Sequence, residues 1–277
     1  MTLATQHLQD AVNRTNCVLS VGLEPAPAYL PSGFPSTIDG YEAFLNLIIE
    51  ATSDIVPAYK FNLAFFEALG SSGMDLLHRV RMNIPEGVFV IADAKRGDIG
   101  STAEHYARAI FDYLNADAVT LNPLMGLDSA MPFLVYENKL SYLICLTSNP
   151  GARDFLIPND LYLRIARAAS DDWNIYGNVG LVVGATNTGR IQAIRDAAPA
   201  LPFLMPGIGA QGGDLHEAAR EAKSTESTDG GAGFLLHVTR GVLPDPEDGG
   251  DVASTIRSRT LAYQKQSNEA LHHAGTA

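Results

Sequence analysis

Eight times along this chain, a short apolar run of strand type is followed by a segment with helical spacing. The apolar runs are Cys17 to Leu23, Val56 to Phe61, Val88 to Asp93, Asp117 to Leu121, Tyr142 to Thr147, Val179 to Val183, Phe203 to Met205 and Phe234 to Val238. Between and after them, Tyr41 to Ser53, Ala64 to Met82, Thr102 to Leu114, Leu127 to Glu137, Asn159 to Trp173, Thr188 to Ala198, Asp214 to Lys223 and Val252 to about Leu271 read as helices. In the first of these, Phe44, Leu47 and Ile48 share a face. The second is expected to be interrupted near Gly70 to Gly73. Strict alternation predicts a parallel sheet covered by helices. Eight units in 277 residues, with no composition break between them, predict one α/β domain over residues 1–277, a (β/α)₈ TIM barrel. Residues 1–16 read as an N-terminal helix before the core, and 272–277 as a frayed tail. A doubly wound open sheet accommodates the same alternation and stays open as the alternative.

The distinctive polar residues follow the strands. They are Glu24, Lys60, Asp93 with Lys95, Asn122, Ser148, Gln211 and Arg240. Barrel enzymes assemble their sites at the carboxyl ends of the strands. One such residue would be ordinary loop chemistry. Seven strands of eight supplying one point to a common pocket.

The third run ends in Asp93-Ala94-Lys95-Arg96-Gly97-Asp98. Alternate strand residues share a face, so Asp93 and Lys95 project together if the strand runs that far. Asp98 follows on the loop. Flanking carboxylates favour a charged lysine, which makes it a cation and proton donor and a poor amine nucleophile. A solvated, charged loop gives the same spacing. Ser101 and Thr102 are expected to cap a helix opening at Ala103-Glu104. After the seventh run, Pro206-Gly207-Ile208-Gly209-Ala210-Gln211-Gly212-Gly213 leads into a helix. Glycines let backbone N–H groups approach an anion, and a helix start favours negative charge. Arg240, after the eighth run, can grip a phosphate in bidentate fashion. A flexible Gly-rich turn is the plainer reading of that loop taken alone.

Composition limits the partners. With 19 basic and 31 acidic residues the net charge is −12, which argues against nucleic acid or an anionic membrane. A small phosphate ligand needs only a local site and is not excluded. Cys17 and Cys145 sit in apolar runs and read as core. His7, His78, His105, His216, His237 and the pair His272-His273 show no metal-ligand spacing. No signal peptide and no apolar run long enough to span a bilayer are evident, so a cytoplasmic protein is expected.

The run from Asp93 to Ile99 resembles the signature of orotidine 5'-phosphate decarboxylases. Val21-Gly22-Leu23-Glu24-Pro25, Lys60-Phe61-Asn62, Asn122-Pro123, Thr147-Ser148-Asn149-Pro150-Gly151, the Gly-rich loop and Thr239-Arg240-Gly241 are similar to motifs of that family's longer bacterial branch. The resemblance implies a barrel that converts orotidine monophosphate to UMP and CO₂ without metal or cofactor, as a homodimer with sites at the interface. It implies Lys95 as proton donor to C6 and Asp93 beside the substrate carboxylate. Lys60 and Asp98 would complete an alternating charge network, with Asp98 and Thr102 reaching into the other subunit's site. Ser148 would read the pyrimidine, and Gly209, Gln211 and Arg240 would hold the phosphate. Glu24 stands where the family usually has Asp at the ribose hydroxyls, and Thr239 where Ser is common. A Mg²⁺-dependent hexulose-phosphate synthase, a Schiff-base aldolase and a non-catalytic phosphate-binding barrel are the rival readings.

Overall fold

Eight parallel strands close into a barrel in sequence order. In this computed structural model, residues 2–209, 212–224, 233–245 and 250–273 are described. The strands are β1 (Leu19–Leu23), β2 (Ala58–Asn62), β3 (Phe89–Arg96), β4 (Ala118–Leu121), β5 (Leu140–Leu146), β6 (Val179–Val183), β7 (Phe203–Pro206) and β8 (Phe234–Val238). Ser20 of β1 lies opposite Ala58 of β2 on one side and His237 of β8 on the other, which shuts the ring and excludes the open sheet.

Alternation along each strand sorts side chains between two cores. Outward residues such as Val21, Tyr59, Val90, Val119 and Leu236 pack under the helices. Inward residues such as Ala58, Phe89, Ile91, Ala118, Tyr142, Leu204 and Leu235 fill the barrel. Each buried Val, Leu, Ile or Phe side chain among these contributes about 1.5–3 kcal/mol. The helix α1 (Leu3–Thr15) closes the amino-terminal end of the barrel with Ala4, Leu8 and Ala11. It is fixed there by Thr2, whose hydroxyl donates to the Gly177 carbonyl at 2.8 Å.

The outer helices are α2 (Ile38–Thr52), α3 (Leu63–Glu67), α4 (Gly70–Met82), α5 (Gly100–Arg108), α6 (Leu127–Leu134), α7 (Leu161–Arg167), α8 (Ile191–Ala197), α9 (Leu215–Ala222) and α10 (Val252–His273). None of the described helices is long and apolar enough to cross a membrane. Helix α10 continues to His273, two residues into the segment expected to fray, while 274–277 lie outside the described residues. The break between α3 and α4 falls at Ala68-Leu69, just ahead of the glycines expected to cause it. Helix α5 opens at Gly100 on Ile99, so Ser101 and Thr102 lie inside its first turn and neither caps it.

One buried cation ties the β7–β8 side of the shell together. Arg195 of α8 is 2% exposed. Its guanidinium donates to the carbonyls of Ala222, Leu201 and Gly233 at 2.9, 2.7 and 3.1 Å and stacks on Phe203. Removing it strands several buried acceptors, each worth about 1–3 kcal/mol. Arg195→Leu is expected to lower unfolding stability by roughly 3 kcal/mol or more, measured by urea denaturation. A midpoint unchanged from wild type would show that these carbonyls find other partners.

Candidate active site

Toward the carboxyl end of the barrel the inward positions turn polar. On β2 the inward series runs Ala58, Lys60, Asn62; on β3 it runs Phe89, Ile91, Asp93. Thr120 follows Ala118 on β4, and His237 follows Leu235 on β8. Above the apolar fill, these side chains line a cavity of about 380 Å³ together with Glu24, Lys95, Ser148, Pro206, Gly207, Thr239 and Arg240.

Charges alternate across its floor. Asp93 accepts from Lys60 Nζ at 2.9 Å through one oxygen and from Lys95 Nζ at 2.6 Å through the other. The Thr120 hydroxyl also donates to Asp93, at 2.9 Å. Glu24 lies 3.9 Å from Lys60 on the far side. Burial would push the Asp93 carboxyl up, but the two ammonium groups outweigh it and hold the carboxyl well below the usual range. Glu24 moves the other way. Burial raises it, and Lys60 only partly offsets that rise.

Backbone distortion aims Lys95. Strand β3 runs on to Arg96, three residues past the expected end, with a register shift against β4 between Ala92 and Arg96. Within that bulge Lys95 adopts φ of 49°, in the left-handed region that lysine rarely enters. Its amide donates to Thr120 Oγ1 at 3.0 Å, so the residue that orients Asp93 also pins the bulge. On the outer side, Arg96 pairs with Glu67 of α3 and lies over the Tyr106 ring.

The loops at the rim hold the other candidates. Ser148 is carried by a loop tied to the segment after β6: Asn187 donates to the Thr147 carbonyl at 3.0 Å and Thr186 to the Ser148 carbonyl at 3.2 Å. Gly207 and Ile208 of the Gly-rich loop reach the cavity, with Arg240 beside them. Gly209 is not in the wall; a Cβ there would sit 2.6 Å from the Tyr263 hydroxyl of α10. Gln211 lies outside the described residues. The start of α9 is capped by its own Asp214, whose carboxylate accepts from Glu217 N at 3.0 Å. The helix terminus is therefore already matched with a negative group. Of the groups expected to attract an anion, Arg240 and the loop backbone at Gly207 and Ile208 are the ones at the cavity.

Three further candidates stand apart from the cavity. Asn122 caps the short turn after β4, accepting from Leu124 N at 3.1 Å, and Thr120 takes its place in the wall. Asp98 accepts from Ile99 N at 2.8 Å, and Thr102 is exposed on α5. Sequence reasoning missed Thr120, Asn62 and His237. A step of two residues along the strand from Lys60, Asn122 and Thr239, which keeps to one face, reaches Asn62, Thr120 and His237.

Comparison with known proteins agrees with this geometry. A family model described as the orotidine 5'-phosphate decarboxylase / HUMPS family matches residues 18–255. The chain belongs to this family. It is 43% identical over 263 residues to an orotidine 5'-phosphate decarboxylase of Roseiflexus sp., covering 93% of this chain and 94% of that one. It is 45% identical over 273 residues to that of Herpetosiphon aurantiacus, covering 97% and 98%. The structure of Leishmania donovani OMP decarboxylase superposes with a TM-score of 0.82 at 35% identity, covering 98% of this chain and 99% of that one. The (β/α)₈ expectation and the family resemblance are both borne out.

His237 gives the family's barrel here a titratable group inside its wall. Burial, and then the Lys60 ammonium, hold its imidazole well below the usual range, so the folded protein keeps it neutral. The unfolded chain takes up this proton below about pH 6.5. Stability is therefore lost as pH falls through that value, by about 1.4 kcal/mol per pH unit. Urea unfolding between about pH 4.5 and 6.5 is expected to show this loss for wild type, offset in part by the raised Glu24 carboxyl, which takes up its proton first in the folded state, and a smaller loss for His237→Asn. Equal slopes would mean that His237 ionises freely in the folded state.

Proposed function

We propose that this chain decarboxylates orotidine monophosphate to UMP and CO₂, in pyrimidine biosynthesis, with Lys95 as the proton donor. The observation that carries this reading is Asp93 clamped between Lys60 and Lys95 at the barrel mouth. Loss of CO₂ from C6 leaves a carbanion that the ring delocalises poorly. An ammonium fixed beside C6 stabilises that charge as it develops and then delivers its proton. Asp93 lies next to the departing carboxylate and, with Lys60, keeps the ammonium aimed. Ser148 faces the pyrimidine, Glu24 the ribose, and the Gly-rich loop with Arg240 the phosphate. Binding the phosphate far from C6 helps stabilise the transition state at the reacting atom.

Neither rival chemistry suits Asp93 and Lys95 as well. A Mg²⁺-dependent aldolase needs carboxylate oxygens for the cation, and both oxygens of Asp93 already accept from ammonium groups. A Schiff-base enzyme needs a neutral amine, and Lys95 is hydrogen-bonded to a carboxylate at 2.6 Å. The whole chain acts as one domain in this reading, without metal or cofactor, in the cytoplasm.

The reading includes a homodimer, with Asp98 and Thr102 completing the other subunit's network. Around them, Ile99 and Leu124 are 57% and 60% exposed, large apolar groups suited to burial against a second copy.

The first test follows the loss of orotidine monophosphate absorbance with EDTA present. Wild type is expected to turn over at an undiminished rate, and Lys95→Ala to lose at least about 10⁴-fold in kcat. Arg240→Ala is expected to raise KM by roughly 10- to 150-fold, the worth of hydrogen bonds to a charged group. No turnover by folded wild type would end the decarboxylase reading. Full activity only with Mg²⁺ and a sugar phosphate would favour the synthase.

A second test mixes Lys95→Ala and Asp98→Ala subunits, each strongly impaired alone. Random re-pairing of a two-fold dimer is expected to restore about a quarter of wild-type activity. No recovery in a mixture shown to exchange would place Asp98 in its own subunit's site or outside catalysis.

A further inference from the structure

The wall of the cavity carries a hydrogen-bonded chain that the lysine chemistry does not use. His237 Nδ1 lies 3.1 Å from the Ser20 carbonyl and 3.3 Å from the Ser20 hydroxyl. Its Nε2 lies 3.2 Å from Thr239 Oγ1. Thr239 and Glu24 share the cavity wall, where the hydroxyl acts on the carboxyl as a hydrogen-bond donor. Gly22 makes room for this link: a Cβ there would sit 2.0 Å from Thr239 Oγ1.

Protons are too few to satisfy every contact at once. A neutral imidazole has one N–H, and a threonine hydroxyl has one proton. When Nδ1–H donates to the Ser20 carbonyl, Nε2 takes the Thr239 proton. Thr239 can then only accept, so it pairs with Glu24 as a carboxylic acid. When Nε2–H donates to Thr239, the hydroxyl donates to Glu24 as a carboxylate, and the Ser20 hydroxyl serves Nδ1. Each charge state of Glu24 thus matches one tautomer of His237.

We propose that Ser20, His237, Thr239 and Glu24 form one proton-ordered chain that sets the charge of the sugar-facing carboxylate, with His237 as its positioning residue. The proposal rests on the reading of Glu24 as the ribose contact. The charged groups around the chain are Lys60 on β2, Asp93 and Lys95 on β3, and Arg240 after β8. Asp93 stays ionised between its lysines, so Glu24 is the acid that changes state. Its burial places that change above the usual carboxylate range.

Two measurements test it. In ligand-free protein, ¹⁵N-imidazole NMR is expected to show the His237 tautomer changing as Glu24 titrates, and Glu24→Gln to freeze it. One tautomer at every pH in wild type would overturn the proposal, whether or not the protein decarboxylates anything. In kinetics with orotidine monophosphate, KM is expected to rise on an acid limb set by Glu24. His237→Asn, whose amide donates to Thr239 permanently, is expected to move that limb down by about 0.5–1 pH unit, and Thr239→Val to move it up. The plateau kcat should change far less than KM. Opposite displacements are beyond a merely structural role. A limb at the same pH in both variants, or a uniform loss of affinity, would overturn the proposal.

Discussion

Two ammonium groups on one carboxylate, all held at the mouth of an apolar barrel, are the interaction on which the site depends. Alone, Asp93 would resist ionisation at its depth, and Lys60, 4% exposed, would resist charge. Together they neutralise each other, and Thr120 takes up a further share of the carboxylate. The arrangement leaves Lys95 half exposed, its ammonium fixed at one side and open to the cavity on the other. A group built this way supplies positive charge without reorganising when the reaction demands it.

The rest of the fold serves that arrangement. Apolar filling below the site, sealed by α1, keeps water from reaching the cluster from beneath. The third strand departs from regular geometry only where Lys95 is aimed, and Thr120 of the next strand holds the departure in place. The proposed phosphate end is built differently, from loop backbone and one arginine. The carboxylate of Asp214 already occupies the helix start that would otherwise attract an anion.

Much of this was legible in the sequence, for identifiable reasons. The sixth and eighth strands, Val179–Val183 and Phe234–Val238, were located to the residue. The third strand runs to Arg96, past the charges that signal a loop in the sequence, because the inward charges are neutralised by one another and remain in the sheet. Glu24, Lys60, Asp93, Lys95, Ser148 and Arg240 do converge on one cavity. At the end of β4 the polar residue after the strand, Asn122, caps a turn, and the inward one two residues earlier is Thr120. His237 shows no metal-ligand spacing in the sequence, and only the barrel's closure against Ser20 reveals its neighbours. The resemblance to the family carried the identity of the substrate, which spacing and charge could not supply.

The left-handed backbone at Lys95 has a consequence for moving this chemistry elsewhere. A design that transplants Asp93, Lys95 and Lys60 onto the regular strands of another barrel would copy the side chains and lose the aim. The third strand would have to be transferred with its bulge and with the threonine that secures it. Within this scaffold, valine or isoleucine at position 95 would strain the chain as well as remove the amine. The unit of inheritance at this site is a backbone segment spanning two strands.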